Sequence, residues 1–211
     1  MAFEPQVPPA HYQGLGYDNK ERFISYWMQV NEVMRVSPKR VLEIGIGNGF
    51  VHRYLRGLGV DVHTLDADPR LEPDTVGLVT ELPFSDAEFD VVCCFETLEH
   101  LPFESFSRAA RELRRVAARW VLISLPDVTP YFRIRFELGF HKKWLDKFFD
   151  LPNGRPRSHS FDGEHYWEVG KRGYPLSRIV SELETSGLVV EATPRVEEDA
   201  WHRFFRCRVP R

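Results

Sequence analysis

The chain has 211 residues, enough for one domain with a substantial core. Its 43% hydrophobic and 28% charged residues are ordinary for a soluble globular protein, and a net charge of −3 argues against a chain built to hold nucleic acid. No stretch approaches the roughly 20 continuous apolar residues of a membrane span, and "MAFEPQVPPAHYQG" lacks the basic start and apolar run of a signal peptide. Cys93 and Cys94 are adjacent in an apolar run and Cys207 stands alone. That is neither a disulfide framework nor a zinc pattern, and a cytoplasmic location is the expectation.

In chain order, residues 1–19 are rich in proline and glycine and read as an arm. Phe23, Ile24, Trp27, Met28 and Met34 recur at helical spacing over 20–36, and Pro38 ends that helix. "RVLEIG" reads as a buried strand, followed by a helix with its stripe at Phe50, Val51, Tyr54, Leu55 and Leu58 and its stop at Gly59. "VDVHTLD", "VGLVT" (76–80) and "FDVVCCF" (89–95) predict strands two to four. Phe106, Ala109, Ala110, Leu113 and Val116 mark a helix over 104–118, and "WVLISLP" (120–126) a fifth strand. Leu176, Ile179, Val180 and Leu183 mark a last helix ending at Gly187. "LVVEAT" and "RFFRCRV" then follow with no helix between them.

Strands alternating with helices predict a Rossmann-like α/β sheet of about seven strands, doubly wound and mostly parallel, with helices on both faces. The short link before the last strand predicts that this one runs antiparallel, at or near an edge. A single domain is expected: arm and first helix at 1–37, a ligand-binding half at 38–126, an insertion or cap at 127–175, and the last helix with a strand hairpin at 176–211.

"VLEIGIGNGF" (41–50) holds Gly45, Gly47 and Gly49 between a strand and a helix. Glycines there let the backbone turn sharply and let a ligand touch it. The spacing is not the dinucleotide G-x-G-x-x-G, and Glu43 before the loop would repel a pyrophosphate while attracting a cation. Asp66 closes the second strand, where a carboxylate can accept both hydroxyls of a ribose. A nucleoside with a positively charged end, such as S-adenosyl-L-methionine, fits both acids.

With "VHTLDADP", "ELPFSDAEFDVVCCFETLEHL" and "ELETSGLVV", the chain resembles the class I S-adenosylmethionine-dependent methyltransferases, in the branch often labelled type 11. The resemblance implies that Gly45, Gly47 and Gly49 lie under the methionine half, and that Glu43 orients it. It places Asp66 on the ribose, Ala67 and Leu82 near the adenine, and Phe95 and Glu96 beside the reactive centre. Leu78 falls where relatives often carry an acid for the adenine amino group, leaving Glu81 or a backbone carbonyl to substitute. The bland alternatives are a structural glycine turn, a turn-forming Asp66 and a structural His100.

Methyl transfer needs chiefly a nucleophile held in line, and a base only where a hydroxyl must lose its proton. No catalytic base is assigned; His165, Glu96 and His100 are the candidates, His165 preferred. The long segment after the fifth strand points to the acceptor. Its aromatics Tyr131, Phe132, Phe136, Phe140, Trp144, Phe148 and Phe149 interleave with Arg133, Arg135, Lys142, Lys143 and Lys147. One reading is an amphipathic helix with aromatics on the core; the other is a lid or a surface touching lipid or an anionic substrate. Arg155, Arg157, His159, His165 and Trp167 are expected to return over the cofactor. His159, Asp162, Glu164 and His165 match no metal-ligand spacing, and no metal is expected.

The expected function is therefore a methyltransferase, most simply O-directed, on a small molecule or glycan. A methyltransferase-like binding domain without turnover and a nicotinamide oxidoreductase are the competing readings.

Overall fold

The structure is a computed structural model describing residues 6–138, 143–151, 155–196 and 198–210, with only the backbone course for 137, 138 and 143–146. The chain orders helix α1 (Lys20–Arg35), β1 (Arg40–Ile44), α2 (Phe50–Gly57), β2 (Asp61–Asp66), β3 (Thr75–Val76), β4 (Phe89–Phe95), α3 (Phe106–Val116) and β5 (Ala117–Pro126). It then adds β6 (Tyr131–Leu138), β7 (Lys143–Asp150), α4 (Leu176–Thr185), β8 (Val189–Ala192) and β9 (His202–Arg208).

Seven strands form one sheet in the order β3-β2-β1-β4-β5-β9-β8. All pair in parallel except β9, which runs antiparallel between β5 and β8. The expected doubly wound sheet is thus observed, with its reversed strand second from the edge. Alternation along each strand feeds two cores. Leu42, Ile44, Val92 and Cys94 join α3 and α4 on one face, while Val41, Val91 and Cys93 join α1 and α2 on the other. The adjacent cysteines are accordingly small buried core residues on opposite faces.

Three expectations need correction. First, α1 forms where predicted but buries a different face: Ser25, Tyr26, Gln29, Glu32 and Val33. Phe23, Trp27 and Met34 are exposed. The buried polar side chains have partners, which makes that face the favourable one. Glu32 meets Arg206 at 3.2 Å, Gln29 bonds the Ser25 hydroxyl and Tyr26 bonds Asp18. Second, the third strand is only Thr75–Val76, and Leu78 and Glu81 pair across a tight turn.

Third, the aromatic segment is not a helix. It is the β6–β7 hairpin, a separate two-stranded sheet. Residues 131–136 alternate with period two, so Tyr131, Arg133 and Arg135 share one side and Phe132, Ile134 and Phe136 the other. Phe132, Ile134, Phe136 and Phe149 stay exposed, so they do not pack on the core. Phe140 and Lys142, and the side chains of Lys143 and Trp144, lie outside the described residues. The hairpin is anchored at its base: Asp150 bonds Arg195 and Arg203, each at 2.6 Å, and both guanidiniums also meet the buried Asp127. Among the described residues no helix is long and apolar enough to cross a membrane.

Candidate active site

The strand order reverses between β1 and β4, and a crevice opens beyond the carboxyl ends of the central strands, where open α/β sheets bind ligands. Here it is a cavity of about 830 Å³. Glu43, Gly45, Gly47, Asp66, Ala67, Leu78, Phe95, Glu96, His100 and His165 all line it. Of the residues expected at the site, Gly49 and Leu82 do not. Gly49 has φ +72 at the start of α2, where a Cβ would come within 2.6 Å of His52, so it serves the helix turn. Leu82 is buried in the core, its N–H given to Glu112. The wall there is Gly77 to Thr80 instead.

The glycines divide the work. Gly45 has φ +78, and a Cβ would overlap the Thr97 hydroxyl from the end of β4. Gly47, at φ +51, has Tyr12 and Tyr17 at ordinary contact distance, each 3.7 Å from where a Cβ would stand. Gly45 therefore closes the strand ends, and Gly47 supplies the left-handed turn under the two tyrosines. Gly45→Ala is expected to cost at least about 1–3 kcal/mol from the left-handed backbone alone, read as a lower urea midpoint with unchanged slope.

Asn48 locks the loop to the rest of the fold. Its amide donates to Asp18 at 2.7 Å and to the Tyr26 hydroxyl at 3.0 Å, and its carbonyl oxygen caps Phe50 at 3.0 Å. Asp66 accepts the N–H of Ile46 on one oxygen and that of Asp68 on the other, both at 2.9 Å. Each oxygen keeps a lone pair for a ligand hydroxyl. Burial raises the Asp66 pKa, and these backbone hydrogen bonds work against the rise. At the Leu78 position, Glu81 does not substitute: its carboxylate is exposed and paired with Arg108 at 3.3 Å.

Glu43 is 5% exposed and its Oε2 has no hydrogen-bond partner. Burial lifts its pKa to about 8. His52 Nδ1 lies 3.6 Å away, but burial drops that imidazole to about 4, so the contact is between neutral groups at pH 7 rather than an ion pair.

A second group of lining residues comes from the turn after β4 and from the cap. Glu96 sits at φ +46, a strained conformation for its residue type, and its Oε2 is 3.8 Å from His202. The cap is stitched to the turn after β4: Tyr166 N–H donates to the Glu99 carbonyl at 2.9 Å, and His100 Nδ1 meets the Glu164 carbonyl at 3.1 Å. This brings the His100 and His165 rings to 5.1 Å. His165 Nδ1 contacts Glu168 at 3.2 Å. Burial lowers the His165 pKa, but the Glu168 hydrogen bond and nearby acids outweigh it and raise the net value. The remaining cap residues lie elsewhere. Trp167 is fully buried with its indole N–H on the Leu101 carbonyl, and His159 backs the His165 carbonyl. Neither lines the cavity, and nor do Arg155 and Arg157.

Sequence patterning did not reveal Tyr12, Tyr17, Trp201 or Glu99 as cavity residues. Only "LEH" carried a signal, through its place at the end of β4.

A family model described as a methyltransferase domain matches residues 42–120. This segment is similar to that family of methyltransferase domains. The match runs from within β1 to the start of β5, the part of the chain that holds the Gly loop, Asp66 and the Glu96–His100 turn. A curated relative, a ubiquinone biosynthesis O-methyltransferase of Paraburkholderia phymatum, is 29% identical over 104 residues. Those residues are 42% of this chain and 45% of that protein, so the chain matches about half the relative's length. Among solved structures, the PH0226 protein of Pyrococcus horikoshii superposes with TM-score 0.63 at 13% identity, covering 95% of this chain and 96% of that one. The glycopeptide N-methyltransferase MtfA, complexed with S-adenosyl-L-homocysteine, gives TM-score 0.58 at 15% identity over 87% of this chain and 89% of that one. These two likenesses establish the fold.

Proposed function

We propose that the chain is an S-adenosylmethionine-dependent methyltransferase, O-directed, acting on a small hydroxylated molecule or a glycan. The observation carrying this reading is one cavity lined by two chemically different sets of residues: Glu43, Gly47 and Asp66 from β1, its following loop and β2, and Glu99, His100 and His165 from the turn after β4 and the cap. We read the first set as the cofactor end and the second as the acceptor end. The cofactor fits on the structure's own terms. Gly45 and Gly47 bring bare backbone to the cavity wall, Glu43 presents an unpartnered buried oxygen, and Asp66 keeps free lone pairs.

When bound, the cofactor supplies an already activated methyl group. Glu43 would face its ammonium end and Asp66 its ribose, with Ala67 and Leu78 beside the adenine. Catalysis then rests on positioning an acceptor oxygen about 3 Å from the methyl carbon. Phe161, Tyr166 and Trp201 offer flat walls for a ring-shaped acceptor. The imidazole cluster at that end supports a hydroxyl acceptor, which must lose a proton. His165, oriented by Glu168, is the first candidate to receive it, with His100 and Glu96 behind it. Incubation with S-adenosylmethionine and a panel of phenols, catechols and sugars, read by mass, tests the reading. A product lacking an O-methyl group would remove the O-direction.

Glu43 gives a pH signature. Its folded pKa of about 8 exceeds its ordinary 4.5, so the folded chain holds a proton the unfolded chain has lost between these values. Stability from this site is full below pH 4.5 and falls as pH rises through 8. Glu43→Gln should flatten that fall. An ammonium seated against Glu43 favours the carboxylate, so ligand binding at pH 7 should release a proton. The enthalpy should then differ between phosphate and Tris buffers in the native chain and not in Glu43→Gln.

A further inference from the structure

Glu99 is the most anomalous residue of the cavity. It is 0% exposed, and neither carboxylate oxygen has a hydrogen-bond partner outside its own residue. A buried carboxylate without a partner is costly unless something binds it. Its neighbours are two imidazoles: Glu99, His100 and His165 each offer a ligand atom, and the three atoms lie within 4.8 Å of one another.

The tautomers are fixed by what surrounds the rings. His100 Nδ1 faces two acceptors, the Glu164 carbonyl at 3.1 Å and the Gln6 side-chain oxygen at 3.0 Å. His165 Nδ1 faces the Glu168 carboxylate at 3.2 Å. Both Nδ1 atoms must therefore be N–H donors, which leaves a lone pair on each Nε2. A carboxylate or carbonyl behind each imidazole, with the other nitrogen free, is how metal-ligating histidines are held. Spacing along the chain could not show this set, because His165 reaches the others only through the cap's backbone pairing with the turn after β4.

We propose that Glu99, His100 and His165 bind one divalent transition-metal cation at the acceptor end of the cavity. Two imidazoles and one carboxylate suit Zn²⁺, Co²⁺, Mn²⁺ or Fe²⁺ better than Mg²⁺ or Ca²⁺, which prefer all-oxygen sets. Three protein ligands leave positions open toward the cavity. An acceptor hydroxyl bound there loses its proton more readily, because the cation stabilises the oxyanion; with their Nε2 lone pairs on the cation, His100 and His165 do not take that proton, which passes to Glu96 or to water. That use of the cation rests on the methyltransferase reading; its binding does not.

The test is a titration of the full chain, stripped with a chelator and dialysed, with Co²⁺, followed by calorimetry and visible absorption. One equivalent should bind. Glu99→Gln should abolish saturable binding, and Glu168→Gln, which loosens His165, should weaken it about 10–100-fold. Each variant is checked for fold by its thermal transition and by S-adenosylhomocysteine binding, which tests the methyltransferase reading separately. No Co²⁺ binding to the native chain, or equal affinity in a folded Glu99→Gln, would overturn the site.

Discussion

Asp127→Ala is expected to lower the free energy of unfolding by about 3–5 kcal/mol, the range for removing one partner from a buried charge network. Asp127 is 1% exposed at the end of β5, in contact with Arg203 and Arg195 and accepting the Thr129 N–H at 2.7 Å. Both guanidiniums are almost fully buried, and among the described residues the other acid they share is Asp150. Removing Asp127 leaves two buried cations against one carboxylate. Arg195 would keep its bonds to the Ala200 and Thr129 carbonyls, which softens the loss without restoring the charge. The network also has a pH sense. Burial raises the Asp150 pKa, but the hydrogen bonds from Arg195 and Arg203 outweigh it and hold the net value below the usual range. Its stabilisation is therefore present above the ordinary carboxylate pKa and lost as pH falls through the lowered one. Urea unfolding at pH 7 measures the main effect; a change under about 1 kcal/mol would mean the network is screened like a surface pair.

Asp66→Ala should weaken binding of S-adenosylhomocysteine by about 10-fold to 150-fold, the equivalent of about 1.5–3 kcal/mol for hydrogen bonds to a charged group. Asp66 also holds the Ile46 N–H of the Gly loop, so alanine removes a loop tether as well as the ribose acceptor. Asp66→Asn separates the two effects. It keeps one oxygen for the loop and replaces the other with a donor. If the ribose contact dominates, Asn and Ala weaken binding alike while Ala lowers the melting temperature more, since Asn loses only one of the two backbone acceptors. Unchanged affinity in both would place the ribose elsewhere.

These predictions differ in how far sequence alone could have led to them. The place of Asp66 in the cavity was legible because it depends on local order: a strand, its last residue, and a Gly loop one strand away. The sheet was legible for the same reason, since parallel strands buried on both faces are apolar throughout and helices between them keep their own period. α1 was read on the wrong face because Phe23 and Trp27 are apolar yet exposed, while the buried Glu32 and Gln29 are acceptable only through partners far away in the chain. The β6–β7 hairpin was open to misreading because aromatics and cations at mixed spacing suit a helix stripe as well as a strand face. Asp127, Arg195 and Arg203, which anchor it, carry no pattern in sequence. The Glu99, His100 and His165 cluster was the least legible. Glu99 and His165 meet only because Tyr166 and His100 each bond the other segment's backbone.

The central claim is that Glu43, Gly47 and Asp66 form a site for a nucleoside with a cationic end. Calorimetric titration of the full chain with S-adenosylhomocysteine, in phosphate and in Tris at pH 7, tests it most directly. The account predicts one saturable site whose enthalpy differs between the two buffers as Glu43 gives up its proton. Absence of saturable binding, with or without binding of NAD in a parallel titration, would contradict it.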